Sequence, residues 1–107
     1  MEMTDLDIDA MREAARDASA TLRALANEDR LLLLCQLSQG EKSVSELESL
    51  LELRQPSLSQ QLGVLRTEGL VATRRDGKRI FYSIADSRVL KLLETMYGLY
   101  CPTGRKG

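Results

Sequence analysis

Residues 53–66 read LRQPSLSQQLGVLR, and this stretch has the pattern of a helix with one face in a protein core. Pro56 suits the first turn of a helix, where its missing N–H would have had no partner. Leu58, Leu62 and Leu65 recur at spacings of four and three, which places them on one side of the helix. The leucines therefore predict the side that faces the core.

The opposite side of this helix carries short polar groups. At about 100° per residue, Gln60 lies opposite the leucines and is flanked by Ser57 and Ser59. Hydroxyl and amide groups in this arrangement suit base edges and phosphates. The stretch therefore predicts a DNA recognition helix.

Length and composition indicate a single, mainly helical domain over residues 1–107. A chain of this size can bury a modest core, to which a second chain could contribute, so we expect a dimer. No apolar run approaches the ~20 residues of a membrane span, and the acidic start lacks the basic residues of a signal peptide. We therefore expect a cytoplasmic protein with no membrane contact.

The formal net charge of −1 conceals an uneven distribution of charge along the chain. Residues 1–52 hold 5 basic and 12 acidic side chains, a net of −7, whereas residues 54–79 hold 6 basic and 2 acidic, a net of +4. The basic side chains of the second segment bracket the predicted recognition helix, as phosphate contact requires. They are Arg54, Arg66, Arg74, Arg75, Lys78 and Arg79. Charge alone also fits an ordinary solvated face.

Two helices are predicted ahead of this region. Residues from about 6 to 25 repeat apolar side chains every three or four positions, which indicates one long amphipathic helix. Asn27 is a suitable N-cap for a second helix, and Gly40 ends that segment. Residues 31–35 are apolar throughout, so the second helix should be central and buried on nearly all sides.

The next elements predict a helix-turn-helix with a wing. Ser43 and Glu46 have the spacing of a capping box, which opens a short helix and gives a helix-turn-helix over about residues 43–68. An ordinary helical hairpin would share this pattern. After Gly69, short β-type runs at 70–75 and 79–84, joined by Asp76-Gly77, predict a hairpin with four cations at its tip. Such a wing, over about 70–85, can lie along a sugar-phosphate backbone.

A last helix is predicted from Asp86 as its cap to about residue 101. The predicted fold is therefore mainly α with a small β-hairpin, a winged helix-turn-helix. The first and last helices, about 6–25 and 86–101, flank the centre and are expected to form a homodimer interface.

With this order of elements, the chain resembles the ArsR family of bacterial winged-helix repressors over about residues 18–101. The motifs that carry the resemblance are Leu25-Ala26-Asn27-Glu28-Asp29-Arg30, Gln55-Pro56-Ser57-Leu58-Ser59-Gln60-Gln61-Leu62, and Leu65-Arg66 followed by Gly69-Leu70-Val71. The resemblance implies a homodimer that binds an imperfect palindrome in double-stranded DNA and releases it when an inducer binds. It also implies that Gln55, Ser57, Ser59 and Gln60 contact DNA.

Many members of this family sense metals, through a Cys-x-Cys pair near the helix-turn-helix or through His and Asp on the last helix. The first position here reads Ser43-Val44-Ser45, and the chain has no His. Soft-metal sites usually need more Cys or His than the two thiols of this chain, so we expect no metal and no cofactor. An ArsR-type repressor that responds to a metal or to another inducer is the alternative to the cysteine-based regulation described next.

The two cysteines are the predicted regulatory site. A Cys in an apolar helix, such as Cys35, usually acts as a small hydrophobic residue. However, Cys35 and Cys101 resemble the paired cysteines of a persulfide- and redox-sensing subgroup of the family, which includes the BigR, SqrR and HlyU regulators. The resemblance implies a disulfide or polysulfide between them, with a reactive sulfur species or an oxidant as inducer. In a reducing cytoplasm a reversible cross-link implies a switch.

Two other classes of function fit the sequence less well. A thiol enzyme is not expected, because the chain has no Cys-x-x-Cys motif and no His to serve as a base. A winged-helix module that binds other proteins is a second alternative, against which the basic wing and the polar helix face argue.

Overall fold

The computed structural model describes residues 7–101, which form five helices and three strands. The helices are α1 (Ile8–Leu25), α2 (Glu28–Leu37), α3 (Val44–Leu51), α4 (Gln55–Thr67) and α5 (Ser87–Tyr100), and the strands are β1 (Lys42–Ser43), β2 (Val71–Asp76) and β3 (Arg79–Ile84). This order confirms the predicted helix-turn-helix, wing and last helix. The predicted start of the first helix near residue 6 lies outside the described residues.

The helices begin where their capping residues predict. The Asn27 side chain accepts a hydrogen bond from the Arg30 N–H at 3.0 Å at the start of α2. At the start of α3, Ser43 Oγ accepts from the Glu46 N–H at 3.2 Å, and Glu46 Oε1 accepts from the Ser43 N–H at 2.8 Å. Asp86 caps α5 in the same manner. The capping box and the two N-caps are therefore confirmed.

The core is built mainly from leucines of α2 and of the helix-turn-helix. Leu58, Leu62 and Leu65, the stripe predicted for α4, are at most 1% exposed. Around them pack Ala24, Leu25, Leu33, Leu34, Leu37, Leu47, Leu70, Val71, Val89 and Leu93. The expectation that α2 is buried on nearly all sides is wrong for Leu32, which is 41% exposed. The helix is covered on the side that faces α3, α4 and the sheet.

The wing belongs to a three-stranded sheet rather than to an isolated hairpin. Strand β1 pairs antiparallel with β3, and the strand order is β1-β3-β2. Ser43 lies opposite Phe81, which in turn lies opposite Arg74. The sequence did not predict β1, because a strand of two residues is too short to show an alternating pattern. The extra strand ties the base of the wing to the start of α3.

The turn of the wing is one residue later than predicted. Asp76 pairs with Arg79, so Gly77 and Lys78 form the two-residue loop. Gly77 has a φ of 65°, which glycine adopts without strain. Arg74 is therefore two pairs back from the turn, and the prediction of four cations at the tip is wrong for this residue.

Helices α1 and α5 leave much of their apolar surface uncovered. In α1 only Ala24 and Leu25 are buried, while Ile8 and Leu22 are more than half exposed. At the end of α5, Leu99 is 72% exposed. Within residues 7–101, no helix combines the length and apolar character needed to cross a membrane.

Candidate nucleic-acid interface

The outward side of α4 is polar and accessible. Gln55, Ser59 and Gln60 are exposed, whereas Ser57 is half-buried beside the leucine stripe. Arg54 is the N-cap residue of α4 and makes no capping hydrogen bond with its side chain. The surface of α4 thus offers amides and a hydroxyl over its first two turns.

Arg66 lies in the last turn of α4 and is exposed. At about 1.5 Å per residue, it stands roughly 16 Å along the helix axis from Gln55. The structure therefore does not bring Arg66 together with the amides of the first turns. Its charge lies at the other end of the same surface.

A groove separates the start of α4 from the wing, and four of the predicted DNA-contacting residues line it. Gln55 and Ser59 lie on the helix side, and Lys78 and Arg79 lie on the wing side. The groove is also lined by Ser43, Val44, Ser45, Glu48, Ile80 and Tyr82. Polar groups of α4 and cations of β3 and its turn therefore face one space, which we call the α4–wing groove.

The Gln55 amide is already engaged at both ends in the α4–wing groove. Ser59 Oγ donates to Gln55 Oε1 at 2.7 Å, and Gln55 Nε2 donates to Glu48 Oε2 at 3.4 Å. An amide that reads adenine uses its donor and its acceptor together. Gln55 must therefore exchange these bonds before it can read a base. Sequence reasoning missed Glu48, which lies on the preceding helix and had no local signal.

Two of the wing cations are bound by the protein itself. The Arg74 guanidinium makes a two-point contact with the Glu41 carboxylate at 2.7 and 2.8 Å. The guanidinium carbons of Arg74 and Arg79 both lie over the Phe81 ring, 4.6 and 5.0 Å from its centroid. The hydrogen bond to Glu41 raises the pKa of Arg74 above its ordinary value. Arg74 therefore stays charged, but the Glu41 carboxylate compensates that charge, so Arg74 is less available to a phosphate than the sequence predicted.

Arg75 and Lys78 are the freer cations of the wing. Both are exposed, and among residues 7–101 neither side chain has an ion-pair or hydrogen-bond partner. Arg75 pairs with Ile80 in the ladder, one pair back from the turn. These two residues are the wing cations that the structure leaves available.

Ser43 joins three parts of this region. It ends β1, it is the N-cap of α3, and its Oγ accepts a hydrogen bond from Arg79 Nη2 at 3.3 Å. It is 1% exposed, and Ser45 Oγ lies 3.2 Å from its hydroxyl oxygen. One buried hydroxyl thus holds the helix-turn-helix and the wing together.

The two cysteines lie away from this surface. Cys35 is in α2 and Cys101 follows the last residue of α5; both are free thiols and both are half-buried. Burial raises the pKa of Cys35, and the neighbouring Cys101 thiol adds to that rise. Cys35 also borders a groove between α2 and α5, beside Leu93 and Tyr97. Cys101 is thus within electrostatic range of Cys35, and the two thiols are not bonded to each other.

No group of three or more His, Cys, Asp or Glu side chains within residues 7–101 has the arrangement of a metal site. The recognition helix, the wing and the three-stranded sheet together define a winged helix-turn-helix, a fold that binds DNA through its second helix and its hairpin.

Comparison with known proteins identifies the family. The model of the family described as bacterial regulatory protein, arsR family, matches residues 27–73. The biofilm growth-associated repressor of Agrobacterium fabrum is 46% identical over 101 residues, which cover 94% of this chain and 86% of that protein. The transcriptional activator HlyU of Vibrio cholerae is 42% identical over 96 residues, 90% of this chain and 89% of that protein. The chain belongs to the arsR family of bacterial regulatory proteins.

Solved structures agree with this assignment. Reduced HlyU from Vibrio cholerae superposes with a TM-score of 0.84 at 42% identity and covers 89% of this chain and 100% of its own. The repressor BigR from Xylella fastidiosa gives 0.83 at 40% identity, over 91% and 99%. A homodimeric winged helix-turn-helix domain from Mycobacterium bovis gives 0.75 at 29% identity, over 89% and 88%. These relatives are transcriptional regulators rather than enzymes, and the chain is a DNA-binding regulator of the same type.

Proposed function

We propose that this protein is a homodimeric transcriptional repressor whose operator binding is relieved when Cys35 and Cys101 become cross-linked. The observation that carries the DNA-binding part is the α4–wing groove, where the amide of Gln55 and the hydroxyl of Ser59 face Lys78 and Arg79. Base edges and phosphates are read by these groups. The remaining predicted contacts, Ser57, Gln60, Arg54, Arg66 and Arg75, extend the same surface, and Arg74 contributes less because Glu41 holds it.

The dimer is supported by the uncovered apolar side of α1 and α5. A groove between these helices has an apolar floor formed by Ala14, Ala18, Leu22 and Leu92, and its other lining residues are the polar Asp17, Thr21, Arg88, Lys91 and Thr95. Exposed apolar side chains grouped on two neighbouring helices are typical of an interface between proteins. The Mycobacterium bovis domain of the same fold is homodimeric. In a dimer, two copies of α4 can enter major grooves one turn apart, about 34–36 Å.

The dimer is tested by Leu22→Glu, which places a charge on the proposed interface. Leu22 is 55% exposed, and Leu32, on α2, is 41% exposed. Leu22→Glu is expected to give monomers in sedimentation equilibrium, while the matched control Leu32→Glu stays dimeric. A dimeric Leu22→Glu protein would show that the subunits meet elsewhere.

Repression, rather than activation, is the proposed direction. The Agrobacterium and Xylella relatives are repressors by name, whereas HlyU of Vibrio cholerae is an activator by name. In vitro transcription from the protein's own upstream region distinguishes the two, since reduced protein should lower transcript and never raise it. If reduced protein shows no selective binding to a duplex from that region in a gel shift, DNA regulation at this site is overturned and a protein-binding module is favoured.

The regulatory step is proposed on the proximity of the two thiols. A persulfide R–S–SH transfers its outer sulfur to the Cys101 thiolate and leaves as the thiol R–SH. The Cys35 sulfur then attacks Cys101 Sγ and expels hydrogen sulfide, so that the two cysteines lose two electrons and two protons and the persulfide gains them. If a second persulfide first converts Cys35 to its own persulfide and leaves as R–SH, the outer sulfur of the Cys101 persulfide attacks Cys35 Sγ, expels hydrogen sulfide and leaves one sulfur atom between the two cysteines. The raised pKa of Cys35 keeps its thiol protonated, which supports Cys101 as the first to react.

The cross-link would tie α2 to α5 and change how the two subunits meet. Persulfide treatment is therefore expected to weaken operator binding and to produce an intrachain Cys35–Cys101 link in mass spectrometry. The matched variants Cys35→Ser and Cys101→Ser should bind DNA when reduced and stay bound after treatment. A Cys35→Ser protein that still responds fully would exclude this pairing. Release by a metal ion, with no change in mass, would support the alternative inducer.

A further inference from the structure

Arg30 links the end of α1 to the middle of the recognition helix. Its Nε donates to the Ala24 carbonyl at 2.7 Å, and its Nη2 donates to the Arg23 carbonyl at 3.2 Å. Its Nη1 donates to Gln61 Oε1 on α4 at 2.9 Å. The guanidinium of Arg30, a residue of α2, therefore donates two hydrogen bonds to the end of α1 and one to α4.

The geometry of this link is rigid. A guanidinium is planar, so its donors keep fixed directions relative to one another. The carbonyls of Arg23 and Ala24 belong to the last turn of α1, at the negative end of the helix dipole, and the Arg23 carbonyl also accepts a hydrogen bond from the Ala26 N–H at 3.3 Å. The backbone of Arg30 is itself held by Asn27 at 3.0 Å. Arg30 itself belongs to α2, so its guanidinium keeps all three bonds only while the end of α1 and the middle of α4 hold their present positions relative to α2.

Capping of α1 alone does not account for the whole contact. The bonds to the two carbonyls satisfy the end of α1 without any help from α4. The bond to Gln61 is the part that a cap does not need. Gln61 is half-buried and lies next to Gln60, which faces outward on the proposed DNA surface.

We propose that Arg30 and Gln61 are positioning residues that fix the orientation of α4 relative to α1, and thereby set the separation of the two recognition helices in the dimer. The inference rests on the proposed function, since it requires a dimer that uses α1 and binds a palindrome. One base pair shifts a half-site by about 3.4 Å and rotates it by roughly a tenth of a turn. A dimer with rigidly placed helices should therefore accept one spacing of half-sites, and a dimer with loosely placed helices should accept several.

The test measures tolerance to spacing rather than affinity alone. The probe is a palindromic duplex that the wild-type protein selects from random-sequence DNA, together with derivatives that have one or two base pairs inserted or deleted at the centre. Gln61→Met has a side chain of similar length but no acceptor, and Gln61→Glu keeps an acceptor oxygen. Arg30→Lys keeps the charge and loses the planar fork, and serves if Gln61→Met does not fold.

Wild-type protein is expected to lose at least about tenfold in affinity when the centre changes by one base pair, because one helix is then misplaced. For Gln61→Met this ratio should fall to about threefold or less. Gln61→Glu should bind every duplex more weakly, because it adds a negative charge near phosphates, yet should keep the wild-type ratio.

A Gln61→Met protein with the wild-type ratio would overturn the positioning role and leave the contact as a helix cap. A loss of stability that only lowers the fraction of folded protein would lower the affinity for all spacings together and would not change the ratio, so it is distinguished from the proposal. If wild-type protein selects no DNA, the proposed function itself fails, and this is seen before any variant is compared.

Discussion

Gly63→Ala is expected to stabilise the protein and to weaken its binding to DNA. Gly63 lies in the middle of α4 on its exposed side, between Gln60 and Arg66. Its φ is not in the left-handed region, and a Cβ built on it meets no atom within 4 Å. The protein therefore gives no internal reason for glycine at this position.

The stability change can be estimated from helix propensity. Glycine in a helix interior is less favourable than alanine by about 0.5–1 kcal/mol, and no clash offsets this gain. For a domain of this size, the change corresponds to a rise in Tm of roughly 2–4 °C. On the DNA side, an added methyl in a close-packed contact costs about 1–3 kcal/mol, which corresponds to a loss of about fivefold to 150-fold in affinity.

The assay pairs thermal unfolding with titration of one operator duplex at fixed salt and fixed protein concentration, because subunit association and salt affect the two measurements. Gly98→Ala is the matched control. Gly98 lies on α5 and also has no atom within 4 Å of a built Cβ. Gly98→Ala should stabilise the protein less than Gly63→Ala, since Gly98 is in the last turn of its helix. It should leave DNA affinity unchanged, and light scattering checks that the dimer is unchanged.

An unchanged affinity of Gly63→Ala, with the expected rise in Tm, would refute a close approach of DNA to the middle of α4. A fall in Tm would show instead that the helix does not tolerate a side chain at this position, and the propensity argument would be wrong.

Three further predictions follow from single contacts. Glu52→Gly should raise the free energy of unfolding by about 0.5–1 kcal/mol in urea titration, because Glu52 has a left-handed φ of 55° that glycine adopts without strain. An unchanged free energy of unfolding would mean that contacts of the Glu52 carboxylate offset the backbone strain. Glu41→Gln should release Arg74 and steepen the salt dependence of non-specific DNA binding by up to about 0.9 in log–log slope, and an unchanged slope would place Arg74 off the DNA. The hydrogen bonds to Ser43 lower the pKa of Glu46, so the ionised carboxylate stabilises the fold above the ordinary carboxyl range, and this stabilisation is lost as acid protonates it. Below about pH 4 the free energy of unfolding should therefore fall faster for wild-type protein than for Glu46→Gln. Parallel curves of unfolding free energy against pH would contradict this prediction.

The helix boundaries could be predicted because their determinants are local. Asn27 caps the N–H three residues later, and Ser43 and Glu46 exchange bonds over the same spacing. The leucine stripe of α4 is read from the same short window, and it is buried as expected. Patterns within one turn of helix need no knowledge of the rest of the chain.

The partners of the functional side chains could not be predicted, because they lie far apart in sequence. Arg74 and Glu41 are 33 positions apart, and Arg30 and Gln61 are 31 apart. A count of charges treats Arg74 as a free cation, whereas tertiary structure supplies its carboxylate. The strand β1 was missed for a related reason, since two residues become a strand only when β3 is beside them.

The shared hydroxyl of Ser43 has a consequence for how this protein can change. A substitution there removes the cap of α3 and the bond to Arg79 together, so one mutation should produce the combined defects of a damaged helix-turn-helix and a damaged wing. Variation at the tip of the wing, at Lys78 for example, meets no such constraint. In a random mutant library, the tip should therefore tolerate many residues, and some of these should change which DNA sequences are preferred. Position 43 should tolerate few residues, because the helix-turn-helix and the wing both depend on its hydroxyl.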